Sequence, residues 1–225
     1  MLNLEGMIAM TKNSGMKQFF IAAVLAPTIA LIASSFKTDG DKELEIGNKI
    51  PMLETKMEGI DGSSYSLLDL KKENGLMVVF SCNTCPFVVG NDNFEGWEKQ
   101  YNDLYNAAEK ANIGFVLINS NEAKRGDDDS MEEMILHAKE KGYKMKYLVD
   151  EKSKLADAFG AKTTPHLFVV DSKGKLAFKG SIDNSWDSKR TEDRSYAMEV
   201  IDHLANGTAL KDNTSQPRGC SIKRK

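Results

Sequence analysis

Two cysteines two residues apart, Cys82-Asn83-Thr84-Cys85, follow directly on the apolar run Leu76-Met77-Val78-Val79-Phe80 and lead into Pro86 and a helical pattern. A strand that delivers a Cys-x-x-Cys pair to a helix N-terminus is the sequence form of a thiol–disulfide redox site. Cys82 lies just before the expected helix. Its thiolate would gain from the unpaired N–H groups and the positive dipole end there. Thiolate is the nucleophile, so a lowered pKa makes Cys82 the expected attacking sulfur. Pro86 suits a first helical turn because it has no N–H to lose. The competing reading is half of a zinc site. That needs a second pair of ligands, and Cys220, His137, His166 and His203 stand at no ligand spacing. No metal and no other cofactor is called for.

The remaining sequence bounds where such a pair would work. A net charge of -3 over 225 residues gives no electrostatic argument for nucleic acid. The basic end Lys223-Arg224-Lys225 reads as a solvated terminus. Lys12 and Lys17 precede the 15-residue apolar run Phe19 to Ala33, and Ala33-Ser34-Ser35 supplies small residues at a cleavage position. The run is short for a membrane span of about 20 residues, and Pro27 interrupts it. Residues 1–35 therefore read as an export signal, with 1–15 as an upstream extension if Met16 is the true start. An uncleaved anchor over residues 19–36, giving transient membrane association, is the alternative. Residues 36–44 form a polar linker, 45–206 the folded domain and 207–225 a C-terminal tail. An exported chain would work in a periplasmic or other extracytoplasmic, disulfide-permissive space.

Within the domain, Asp61-Gly62 followed by Ser64 to Leu67 suggests an N-terminal hairpin. Leu76–Ser81 and Ile113–Ile118 read as strands covered on both faces. Between them a helix breaks near Gly90-Asn91 and resumes with a stripe of Phe94, Trp97, Tyr101, Leu104, Tyr105 and Ala108, a face packed on the sheet. Asp127-Asp128-Asp129 lacks the alternating ligands of a calcium loop, and these acids suit the start of a helix at Ser130. Tyr147-Leu148-Val149 is a third strand, and Lys154 to Phe159 a helix. Thr164-Pro165 opens a further strand, His166 to Val170, where a cis peptide would face the cysteines. A hairpin through Gly174 returns to Gly180, and a last helix covers Tyr196 to Ala205. This order implies an α/β fold: a central mixed sheet with helices on both faces.

These residues resemble the thioredoxin-like redoxins of the alkyl hydroperoxide reductase/thiol-specific antioxidant superfamily. The resemblance rests on Val79 to Phe87 around the cysteines, on Thr163-Thr164-Pro165 and on the hairpin Phe168 to Gly180. It covers about residues 44–225. The chain looks most similar to a peroxiredoxin-like subgroup, through Ile118-Asn119-Ser120-Asn121 and the ending Gly219-Cys220-Ser221-Ile222-Lys223. The resemblance implies a thioredoxin-like fold with Pro165 in cis, Cys82 attacking, Cys85 resolving, and substrate docked on Thr164 and Pro165. It also suggests Cys220 as a third redox thiol. Aligned to the peroxiredoxins, Cys85 takes the peroxide-reacting place and Cys82 stands in place of a threonine hydroxyl.

The expected function is therefore extracytoplasmic thiol–disulfide exchange. Its partners would be protein or small-molecule disulfides or thiols and a thiol electron donor or acceptor. Thiol-dependent peroxidase and metal-binding module are the alternatives. If the export reading holds, the mature chain begins near Phe36; N-terminal sequencing of the native protein checks this, and a full-length cytosolic product would contradict it.

Overall fold

The computed structural model describes residues 43–225; the segments read as an export signal and its upstream extension, and the expected linker up to residue 42, lie outside them. Strands β1 (Met57–Glu58) and β2 (Ser64–Tyr65) pair antiparallel as the N-terminal hairpin. Next come α1 (Leu67–Leu70), β3 (Gly75–Ser81), α2 (Pro86–Val89) and α3 (Glu98–Lys110). β4 (Ile113–Asn119), α4 (Met131–Glu140), β5 (Lys146–Val149) and α5 (Lys154–Phe159) follow. The chain continues through β6 (Thr163–Thr164), β7 (His166–Asp171), β8 (Leu176–Gly180), α6 (Tyr196–Asn206) and β9 (Cys220–Ser221).

Five strands form a mixed central sheet in the order β5-β4-β3-β7-β8. β4 runs parallel to both β3 and β5, and β7 is antiparallel to β3 and β8. Side-chain alternation sends Met77 and Val79 to one face, with Tyr101 and Leu104 of α3 and Val200 and Ile201 of α6. Leu76, Val78 and Phe80 go to the other face, with Leu67 of α1 and Leu155, Ala156 and Phe159 of α5. A strand covered on both faces has no polar side to show, so β3 reads as an unbroken apolar run. Gly114 on β4 meets a close approach: a Cβ there would lie 2.0 Å from the Leu70 carbonyl of α1.

The stripe expected from Phe94 onward is helical only from Glu98. Trp97 is the cap residue, and its Nε1 donates to Asp183 at 2.7 Å. Ser130 does cap α4, its hydroxyl accepting from the Glu133 N–H.

Phe80, Phe159 and Phe168 make an edge-on trio with ring centroids 5.3 to 5.7 Å apart, all fully buried. Phe168→Ala is expected to cost about 3–5 kcal/mol by transfer and cavity terms together. Denaturant unfolding measures this, and a loss below about 1 kcal/mol would show that the trio is not a packing centre.

Candidate active site

The β3–β7 pairing aligns Phe80 with His166 and Val78 with Phe168. Continued two residues, that register sets Cys82 opposite Thr164, and the Cys82 Sγ lies 3.2 Å from the Thr164 Oγ1. The Thr164–Pro165 bond is cis, as expected. Cys85 caps the short helix α2, with Pro86 at its first position. When protonated, its S–H donates to the Thr164 carbonyl, with Sγ 3.0 Å from the oxygen. Thr164 therefore touches both sulfurs, one through its hydroxyl and the other through its carbonyl. All three cysteines are free thiols.

The third cysteine arrives from the far end of the chain. β9 pairs antiparallel with β6, Cys220 opposite Thr164 and Ser221 opposite Thr163. The Cys220 backbone N–H donates to the Cys85 Sγ at 3.3 Å. This brings together every cysteine singled out in the sequence, with Thr164 and Pro165 between them. It also changes the expected docking edge: the main chain of Thr163 and Thr164 is already paired with the protein's own tail.

Thiolate character falls on Cys85, not on Cys82 as its place before the helix suggested. The neighbouring Cys82 thiol lowers the Cys85 pKa most, and the Cys220 thiol, the Cys220 backbone N–H at 3.3 Å and the nearby Phe87 N–H add to it. Together these donors outweigh burial and lower the Cys85 pKa to about 5. Cys82 is pushed well up, because it is the donor to Cys85, is buried, and faces the Asp129 charge. Cys220 is pushed up to about 11 by burial and by its hydrogen bond and proximity to Cys85. The local backbone also separates the two sulfurs. The helix begins at Pro86, so Cys85, not Cys82, adjoins its free N–H groups.

Beneath the cysteine loop lies a polar cluster that the sequence reading missed. Asp129, read as one of three acids beside a helix start, is 0% exposed. Its Oδ1 accepts from the Asn83 backbone N–H at 2.9 Å and from Asn119 Nδ2 at 2.7 Å; its Oδ2 accepts from Asn121 Nδ2 at 2.9 Å. Asn83 is held again through its side chain, which donates to the Asp128 carbonyl and accepts from the Tyr147 hydroxyl. Arg125 ties the Asp129 carbonyl to the Asn119 carbonyl. A buried carboxylate is tolerable only with such a donor set. The available signal was Asn119-Ser120-Asn121: amides at the end of a buried strand need a polar partner. Among the described residues no group of three or more His, Cys, Asp and Glu side chains could hold a metal ion. No helix there is long and apolar enough to cross a membrane.

A family model described as Redoxin matches residues 45–198. No curated protein matches the sequence. Among solved structures, an uncharacterized conserved protein from Geobacillus kaustophilus is 29% identical, with a TM-score of 0.69 over 82% of this chain and 94% of that chain. A hypothetical protein from Sinorhizobium meliloti is 23% identical, with a TM-score of 0.69 over 82% of this chain and 97% of that one. A Cys-to-Ser mutant of PrxQ from Xylella fastidiosa, 13% identical, has a TM-score of 0.50 over 72% of this chain and 96% of its own. It shares the thioredoxin-like fold.

Reduced protein should show a thiolate absorbance step centred near pH 5, lost in Cys85→Ser. Between about 5 and 9.0 the folded state has released a proton that the unfolded chain still holds. Stability should therefore rise with pH across that window and fall as pH drops toward 5. Denaturant midpoints of wild type and Cys85→Ser check this; equal pH slopes would contradict it.

Proposed function

Because the chain belongs to the Redoxin family, we propose that it is a thiol–disulfide oxidoreductase in which Cys82 and Cys85 cycle between dithiol and disulfide. The observation that carries this reading is geometric: the Sγ atoms of Cys82 and Cys85 both lie on Thr164, at 3.2 and 3.0 Å, with Cys85 at the start of α2; the pKa of the Cys85 thiol is lowered and that of the Cys82 thiol raised. Cys85 then attacks a substrate disulfide and releases one thiol. Cys82 loses its proton, attacks Cys85 Sγ in the mixed disulfide and releases the second thiol. The Asp129 cluster holds Asn83, and with it the loop that joins the two cysteines. Thr164 and Pro165 flank the pair, with Thr164 against both sulfurs.

We assign the chain to the peroxiredoxin-like subgroup ending in Gly-Cys-Ser-Ile-Lys. The place of Gly219 and Cys220 against the site supports this. Residues 45–206 are the catalytic domain, 207–225 its tail and 1–35 an export signal, so exchange takes place outside the cytoplasm on protein or small-molecule partners. The low pKa of Cys85 favours a second reading, because Cys85 is the position aligned with the peroxide-reacting cysteine. There Cys85 thiolate takes oxygen from a peroxide, and Cys82 condenses with the sulfenic acid to give the same disulfide and water.

Trapping separates the roles. With Cys220 also replaced by serine, so that no neighbouring thiol can resolve the adduct, Cys82→Ser should accumulate mixed disulfides with a substrate such as insulin, whereas Cys85→Ser should lose exchange altogether. Capture by Cys85→Ser and inertness of Cys82→Ser would restore Cys82 as the attacking sulfur. Consumption of hydrogen peroxide by wild type but not by Cys85→Ser selects the peroxidase reading.

A further inference from the structure

The reduced pair is poorly open to solvent: Cys82 is 2% and Cys85 4% exposed. Exchange requires the incoming sulfur to reach the sulfur it attacks. Beside Cys85 lies the tail, and its Cys220 is only partly buried.

The tail is fixed on both sides of Cys220. Upstream, the Arg218 guanidinium stacks between Phe87, at 5.4 Å, and Trp186, at 5.2 Å. The Arg218 backbone N–H donates to the Ser181 hydroxyl. Gly219 allows close approach, since a Cβ there would lie 2.3 Å from the Thr164 carbonyl oxygen. Downstream, Ile222 is buried in the core face made by α5. The Lys223 N–H donates to Asn121 Oδ1, and its carbonyl accepts from Ala123. Arg224 pairs with Asp157. A segment held at so many points delivers one residue, Cys220, to one sulfur.

We propose that Cys220 is the outer thiol of a three-sulfur relay: a Cys85–Cys220 disulfide carries electrons between the buried pair and a dithiol protein in solvent. This rests on the reading of Cys82 and Cys85 as a redox pair. Starting from the Cys82–Cys85 disulfide, the Cys220 thiolate attacks Cys85 Sγ. The Cys85–Cys220 bond forms, and Cys82 leaves and takes the proton that Cys220 gave up. A partner thiolate then attacks Cys220 Sγ, the accessible sulfur, and Cys85 leaves. The second partner thiol attacks the mixed disulfide, releasing Cys220 and a partner disulfide. Two partner thiols are oxidised, one protein disulfide is reduced, and the partner's two protons pass to the thiols formed or to solvent. The reverse flow uses the same bonds in reverse order.

Two features favour this path. In the second step Cys85 is the leaving thiol, and its lowered pKa speeds that departure. The Cys85 charge also helps to keep Cys220 protonated in the reduced state. In the Cys82–Cys85 disulfide that charge is gone, so Cys220 ionises more readily when it is needed.

Two full-chain variants test the relay. Oxidised Cys82→Ser should yield an intramolecular Cys85–Cys220 disulfide by peptide mapping; free or only intermolecular Cys85 would overturn the proposal. Oxidised Cys220→Ser, which still forms Cys82–Cys85, should be reduced by thioredoxin on the order of tenfold more slowly in single turnover, because its entry sulfur is lost. An unchanged rate would overturn the proposal. Serine keeps a donor and the backbone N–H beside Cys85, so the thiolate titration should stay near pH 5. A slowed variant whose titration has moved would instead mean that Cys220 only positions Cys85. Wild type that never forms the Cys82–Cys85 disulfide would sink the underlying redox-pair reading instead.

Discussion

The antiparallel register between β3 and β7 is the constraint on which the site depends. Gly75 opposite Asp171 and Phe80 opposite His166 fix Cys82 beside Thr164. The register is specified from both faces. Met77 and Val79 must meet one set of helices, and Leu76, Val78 and Phe80 the other. A slip of one residue would exchange these sets and move Cys82 away from Thr164's hydroxyl. Core packing and site geometry are thus set by the same choice of side chains. The β6–β9 pairing extends the same row outward, because Thr164 is also the partner of Cys220.

A second constraint is polar and buried. Asp129 accepts from the cysteine loop through Asn83 and from the end of β4 through Asn119 and Asn121. Asn121 in turn accepts from Lys223 in the tail. The carboxylate costs free energy to bury, and its fixed donors offset that cost. Because those donors come from separate stretches of chain, loop and tail are positioned against a common point. The same charge raises the Cys82 pKa and so helps decide which sulfur holds the proton.

Much of the framework was legible from local pattern. The continuous apolar runs of β3 and β4, the hairpin through Gly174 and the proline opening β7 each carry their own signal, and each appears where expected. Cys82, Cys85, Thr164 and Pro165 could be named for the same reason. What was not legible depends on contacts far apart in sequence. The pKa of the Cys85 thiol is lowered first by Cys82 and then by Cys220, a residue 135 positions away whose backbone N–H donates to it. Asp129 read only as an acid at a helix start because its donors Asn83 and Asn119 come from other elements. The tail's path rests on Gly219 fitting against Thr164, a steric fact with no periodicity to reveal it.

The order of proton release follows from crowding three sulfurs into one partly desolvated space. Two adjacent thiolates would repel strongly there, so one charge is stable and a second is not. The donors place that charge on Cys85, and both neighbours keep their protons while it remains. When Cys85 enters a bond to another sulfur, it stops accepting from Cys82 and Cys220. The interaction that held their protons then weakens. In the proposed cycle a resolving thiol therefore becomes nucleophilic only after there is something to resolve, and the order of steps follows from electrostatics among the three sulfurs.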